Sequence, residues 1–194
     1  MLSNHKVLIA VTGASGTIYA KRLTEILLSK VARVYLTSTK TALSVSHFEE
    51  KNFSSKTYSF TKLLSGDIPK EFKEKVRVFS SENLFAPLAS GSSAASHMVV
   101  VPCSMGSLAR IRHGISSNLL ERAADVMLKQ KRPLLICPRE TPLSTIHLEN
   151  MLELSRMGAH IIPTMPAFYQ APKTMEDLID FVLGRVLEIL EIDH

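Results

Sequence analysis

Apolar positions along this chain fall into short unbroken runs, with stretches of helical periodicity between them. Residues 5–12 (HKVLIAVT) form one such run. It does not alternate between a wet and a dry face, so it predicts a strand buried on both faces. Runs at 31–37, 76–80, 97–102 (HMVVVP), 133–138 (PLLICP) and 159–163 predict further strands. The intervening segments 18–30, 40–50, 116–131 and 144–157 read as helices. The clearest helix is the last, where Met175, Leu178, Ile179, Val182, Leu183, Val186, Leu187 and Leu190 recur at helical spacing. Thr174 is placed to cap it, with Glu176 and Asp177 in its first turn. Segment 51–75 is polar and weakly patterned, a peripheral loop or short helix, and 86–96 (APLASGSSAAS) is too rich in small residues to be regular. Strands alternating with helices predict one α/β domain over 1–194, a three-layer, doubly wound (Rossmann- or flavodoxin-like) parallel sheet.

Composition narrows the picture without redirecting it. With 194 residues, 45% hydrophobic and 21% charged, the chain is ordinary for a single globular domain. No apolar run approaches the roughly 20 residues of a membrane span, and residues 1–6 lead into the first strand without the pattern of a secretory leader. Cys103 and Cys137 follow strand-like runs and form no metal-spaced pair, which predicts buried bystander thiols and a reduced, cytoplasmic setting. The net charge of +5 comes from scattered basic residues without interleaved aromatics. An anionic small ligand accounts for it as well as nucleic acid does, and neither a nucleic-acid nor a membrane partner is expected.

In an open parallel sheet, ligands bind beyond the carboxyl ends of the strands, and three predicted strand ends here carry unusual residues. The first, Thr12-Gly13-Ala14-Ser15-Gly16, lets the backbone turn sharply into a helix whose N-terminus offers free N–H groups to a phosphate. A bare strand-to-helix turn is the alternative. The second, Cys103-Ser104-Met105-Gly106-Ser107, ends a buried strand in small hydroxyl residues, either a second anion or flavin-edge site or simply a helix cap. The third, Arg139-Glu140, joins a phosphate-binding group to a proton-transfer group, or forms a structural ion pair. Arg122 and Lys129 lie seven residues apart on one helix face, and Tyr169 follows the last strand with a hydroxyl to offer. Histidines are scattered without ligand spacing, so no metal is expected. The turn TGASGTIY lacks the third glycine of short-chain dehydrogenases, since Ile18 stands there. Of the two Tyr-x-x-x-Lys pairs, Tyr58/Lys62 falls too early and Tyr169/Lys173 is broken by Pro172.

Taken together, VTGASGTIYAKRL from Val11, ASGSSA from Ala89, PCSMGSLARIRHGISSNLLERAADVMLK from Pro102, RPLLICPRETPLSTIHLENMLELSRMGA from Arg132 and PAFYQAPKTMEDLIDFVLGRVL from Pro166 are highly specific. Through them the chain closely resembles the UbiX-type flavin prenyltransferases over nearly its whole length. The resemblance implies transfer of a dimethylallyl group from dimethylallyl monophosphate to N5 and C6 of reduced FMN. The prenylated FMN formed is the cofactor of UbiD-type decarboxylases, commonly in ubiquinone biosynthesis. It further implies a metal-independent, homododecameric enzyme. Carried over residue by residue, it implies that Gly13, Ala14, Ser15, Thr39, Ser104, Met105, Gly106, Ser107 and Arg139 hold FMN, with Thr39 where the family often has Ser. Ser90, Arg122, Lys129, Tyr169 and Arg185 would bind the prenyl phosphate, and Glu140 and Glu49 would be the catalytic carboxylates. Arg185 lacks an obvious partner in the sequence, so phosphate contact, from a neighbouring subunit, is expected of it. A flavin-dependent decarboxylase acting on peptidyl-cysteine and a non-catalytic flavin-binding subunit are the competing readings.

Overall fold

The computed structural model describes residues 3–52 and 58–193. Its elements run β1 (Ser3–Val11), α1 (Thr17–Lys30), β2 (Val31–Ser38), α2 (Lys40–Asn52), α3 (Phe60–Leu64), β3 (Val76–Ser80), β4 (His97–Cys103), α4 (Met105–Arg112), α5 (Leu119–Lys129), β5 (Leu134–Pro138), α6 (Thr145–Arg156), β6 (His160–Ile161) and α7 (Met175–Ile189). The strands form one sheet in the order β3-β2-β1-β4-β5-β6, and every pairing is parallel. The chain winds outward from β1 to one edge, then crosses back to β4 and winds to the other. The reversal falls between β1 and β4, which is where open α/β sheets open a ligand crevice.

The central strand has no wet face. Val7, Ile9 and Val11 pack into one core with Leu23 and Leu27 of α1 and Leu183 and Val186 of α7. Leu8 and Ala10 point the other way, into a second core with Leu108 of α4, Leu120 and Ala124 of α5 and Leu154 of α6. That two-sided burial is why the run is apolar without alternation.

The three-layer domain matches the sequence expectation, with local differences that have physical causes. The last strand is short by backbone pattern, yet Ile162 N–H still reaches Ile136 O at 2.8 Å and Thr164 N–H reaches Pro138 O at 3.2 Å, so the pairing outlasts the regular strand. The helix expected from 116 starts at Leu119, because the Asn118 side chain takes the Glu121 N–H and fixes the cap there. The weakly patterned segment contains α3, capped by Ser59 and anchored by buried Phe60; its residues 53–57 lie outside the described residues. Thr174 caps α7 as expected, in a capping box with Asp177. Both thiols are buried and free. Burial pushes both upward, Cys103 to about 12, which disfavours the thiolate. Among the described residues no helix is long and apolar enough to cross a membrane.

Candidate functional site

The loops after β2, β1, β4 and β5 are stitched together at the carboxyl edge of the sheet. Thr12 is fully buried there. Its hydroxyl donates to Pro102 O at 2.8 Å and accepts the Ser104 N–H at 2.7 Å, tying the end of β1 to the turn after β4. Thr39 N–H donates to Val11 O at 3.0 Å, and Arg139 N–H to Cys103 O at 3.1 Å. The expected site residues Gly13–Ser15, Thr39, Ser104–Ser107, Arg139 and Glu140 are thereby gathered along one rim.

Within that rim the glycine turn has two tight positions. A Cβ on Gly13 would meet Thr41 Cγ2 at 2.5 Å, and Gly16 has φ 105°, a conformation side chains disfavour. The first N–H groups of α1 do not await a ligand. Glu49, reaching over from α2, accepts from Gly16 N–H at 2.7 Å, from Thr17 N–H at 2.8 Å and from the Thr17 hydroxyl at 2.6 Å. Burial alone would raise the Glu49 pKa. The hydroxyls of Thr17 and Ser15 and the two N–H groups outweigh it, and the carboxyl lies below its ordinary value. The N–H groups of Gly16 and Thr17 are thus taken by the protein's own carboxylate, and Glu49, expected as a second catalytic carboxylate, also shapes the turn with both of its oxygens.

The other side of the rim is freer. Ser104 caps α4, accepting the Ser107 N–H at 3.3 Å, with Met105 buried and Gly106 exposed. A Cβ on Gly106 would meet only Arg110 Nη1, at the ordinary distance of 3.5 Å, so no internal packing demands glycine there. Lack of a side chain instead leaves the start of α4 open to close approach. Thr37, buried at the end of β2, has a hydroxyl without a hydrogen-bond partner among the described residues. Open backbone, an orphaned hydroxyl and a nearby guanidinium suit a polar, phosphorylated flavin. Arg139 donates its Nε to Ser15 O at 3.1 Å, and among the described residues exposed Glu140 accepts only the Thr141 N–H, at 3.0 Å. Neither forms an ion pair among the described residues. The structural ion pair that the sequence left open is absent, and both heads remain available.

Among the described residues no hydrogen bond or ion pair ties the expected phosphate ligands to this rim. Arg122, on α5, donates Nε to Ala89 O at 3.2 Å and Nη1 to Asp125 at 2.8 Å, beside exposed Ser90. Lys129 is exposed two turns further on, about 10 Å along the axis, where α5 turns back toward the start of β5. Tyr169 and Arg185 form a third group, both against Phe181, with the tyrosine ring edge-on at 5.6 Å and the guanidinium at 5.7 Å. Arg185 and Phe181 line a cleft of about 550 Å³ beside α7, with Lys173 and Asp177. Arg185 does have a local partner: its Nη1 meets both Glu188 oxygens at 2.9 Å. Among the described residues no three His, Cys, Asp or Glu side chains converge as a metal site would need.

Sequence reasoning missed Thr12 as the stitch between β1 and β4, the capping role of Glu49, and an ion pair behind the serines, half-buried Arg110 with buried Glu121. A threonine at a strand end just before the glycine turn was the one legible signal. The other two depend on neighbours 33 and 11 residues away.

Comparison with known proteins places the chain. The family model described as Flavoprotein matches residues 1–187. The flavin prenyltransferase UbiX of Alkalihalophilus pseudofirmus is 47% identical over 186 residues, covering 96% of this chain and 91% of that protein. A dodecameric FMN-dependent UbiX-like decarboxylase from Escherichia coli O157:H7 superposes with a TM-score of 0.85 at 37% identity, over 97% of this chain and 96% of its own. AnUbiX, solved in complex with FMN and dimethylallyl pyrophosphate, gives a TM-score of 0.83 at 38% identity, over 98% and 94%.

Proposed function

The chain belongs to the flavoprotein family and, within it, to the UbiX flavin prenyltransferases, and on that premise we propose that it prenylates reduced FMN with dimethylallyl monophosphate. The C–O bond of the allylic phosphate breaks as the N5–carbon bond forms, inorganic phosphate leaves with the bonding pair and the N5 proton is released. Protonation of the remaining double bond then lets C6 bond to the tertiary carbon, and loss of the C6 proton completes the ring without net oxidation. Reduced FMN supplies the electron-rich face that an allylic centre attacks, and the flavin is consumed as a substrate.

The observation that carries this reading is the rim itself. A sharp glycine turn, an open start of α4, and Arg139 and Glu140 without an ion-pair partner among the described residues meet at the β1/β4 reversal. Gly13, Ala14, Ser15 and Thr39 border the flavin on one side, and Ser104, Met105, Gly106, Ser107 and Arg139 on the other. Glu140 transfers the proton near the leaving phosphate, for which its exposed, unpaired carboxyl is suited. Glu49 supports the reaction indirectly by holding Ser15 and the start of α1. The cations Arg122, Lys129 and Arg185, with Ser90 and Tyr169, stabilise the phosphate as charge develops on it. Their hydrogen bonds among the described residues are local and none is made to the rim, so in this reading they reach the phosphate from neighbouring copies, in an assembly like that of the E. coli relative. The unbridged thiols fit a cytoplasmic setting, and a UbiD-type decarboxylase is the recipient of the product.

Anaerobic incubation with reduced FMN and either dimethylallyl monophosphate or diphosphate, followed by mass spectrometry, tests the proposal. A five-carbon gain on the flavin with the monophosphate is expected. A folded, flavin-loaded protein that adds no mass with either substrate overturns it.

A further inference from the structure

Behind the serines at the start of α4 lies a polar chain that the reaction as described does not use. Glu121 is 1% exposed in the first turn of α5. It accepts the Ser117 hydroxyl at 2.5 Å and the Ser117 N–H at 3.0 Å. It is also ion-paired with Arg110 through Nε. The same guanidinium extends its Nη2 to the Ser107 hydroxyl at 3.3 Å, and Ser107 in turn meets the Ser104 hydroxyl at 3.1 Å. Ser107 is itself 2% exposed, while Ser104 faces the rim. The run is therefore continuous from a buried carboxylate to the open edge of the sheet.

Its chemistry has a direction. A guanidinium has donors and no acceptor, whereas a serine hydroxyl has one hydrogen and two lone pairs. Arg110 therefore obliges Ser107 to accept, so Ser107 cannot spend its hydrogen inward. Ser104 donates to Ser107, so Ser107 accepts from both sides and its own hydrogen is the one left over. That hydrogen finds no acceptor on the guanidinium and is left for a group that closes over the start of α4, and the donor-only end is anchored by Glu121, which also keeps the guanidinium neutralised.

We propose that Arg110, fixed by Glu121, is a positioning residue that makes the Ser104–Ser107 pair a hydrogen-bond donor toward the carbonyl edge of the flavin. The inference rests on the assignment of those serines to the flavin. Reduction loads negative charge onto the flavin carbonyls, so an obligatory donor there strengthens binding of the reduced ring over the oxidised one. That is the form this enzyme must select. A pair merely stapling α4 to α5 would stabilise the fold without favouring either redox form.

The test measures dissociation constants of oxidised and dithionite-reduced FMN anaerobically. The variants are the wild type, Ser107→Ala, the paired change Arg110→Gln with Glu121→Gln, and the triple variant. The two glutamines are introduced together because a lone buried Glu121 would itself unfold α5. The paired change should weaken reduced FMN about tenfold more than oxidised FMN, which lowers the two-electron potential of the bound flavin by about 30 mV. The triple variant should be no worse than Ser107→Ala, since both changes act through one hydroxyl. Arg110→Lys, donor-only like arginine, should keep the preference for reduced FMN and covers the case in which the paired change does not fold. Equal weakening of both redox forms, additive losses in the triple variant, or a lost preference in a folded Arg110→Lys protein overturns the inference. Failure of the underlying reading looks different: Ser107→Ala and Ser104→Ala would then leave both FMN affinities unchanged.

Discussion

Removing the carboxylate that caps α1 should loosen the glycine turn, and the cost follows from its contacts. Glu49 accepts two backbone N–H groups and the Thr17 hydroxyl, all within 2.6–2.8 Å, and the Ser15 hydroxyl as well. Deleting a helix cap typically costs 0.5–2 kcal/mol, about 1 on average. Loss of a carboxylate from the positive end of the helix dipole adds about 0.3–1 kcal/mol. The contacts are only half-buried, so water replaces part of what is lost. Glu49→Ala should therefore destabilise the fold by about 2 kcal/mol at neutral pH. For a chain of this size that is a fall in Tm of roughly 4–8 °C. Glu49→Gln keeps the shape but loses the charge and should fall between the two. The pH dependence supplies the sharper test. Because the folded-state pKa is depressed below the unfolded value, the stabilisation is present above the unfolded pKa and is lost as pH falls through the folded one. Urea unfolding of wild type and Glu49→Gln from pH 7 down to pH 3 should show the two curves converging on the acid side. Curves that stay parallel, or a Glu49→Ala protein as stable as wild type, would refute the reasoning.

Glu140→Gln should bind FMN normally while forming the adduct at least about 100-fold more slowly, as loss of a general acid–base group does; stopped-flow absorbance and mass spectrometry read both. Thr12→Val should cost about 1–3 kcal/mol in chemical denaturation, by stranding the Ser104 N–H while Pro102 O keeps the Thr12 N–H, and Thr12→Ser should recover most of it. His97 is held below its ordinary pKa first by burial and then by His5. The neutral ring thus contributes stability above about pH 6.5 that is lost as pH falls through the folded value. His97→Asn should flatten the decline in Tm between pH 7 and pH 5. Mixing inactive Lys129→Ala and Glu140→Gln proteins after reversible dissociation should restore up to about a quarter of wild-type activity, the chance that a random interface holds both intact residues. No recovery would place both groups in one subunit's site.

Most of the fold was legible because its signals are local. The unbroken run into Val11 and the apolar stripe on α7 reflect burial that each segment undergoes wherever it packs. The boundary of α5 was misplaced by three residues for an equally local reason, a cap on Asn118 that competed with Ser116 and Ser117 as a start signal. The rim residues were legible as unusual strand ends, and the sheet order then brought Ser15 and Arg139, 124 positions apart, within 3.1 Å. What stayed hidden was which partner each polar group would find. Nothing near Glu49 in sequence indicates that it will cap a helix beginning at Thr17, and Glu121 looks like an ordinary first-turn acid until Arg110 folds onto it. Arg185 likewise seemed unpartnered, although Glu188 stood one turn away.

The anion that α2 lends to α1 also bears on ligand binding. A loop whose helix end is completed only by a ligand's phosphate has to be ordered each time the ligand arrives, and that ordering is subtracted from the affinity. Here the helix end is completed from within, so arrival and departure of a flavin need not be coupled to ordering the turn. A turn that keeps its shape without help leaves affinity to be set by the ring and its substituents.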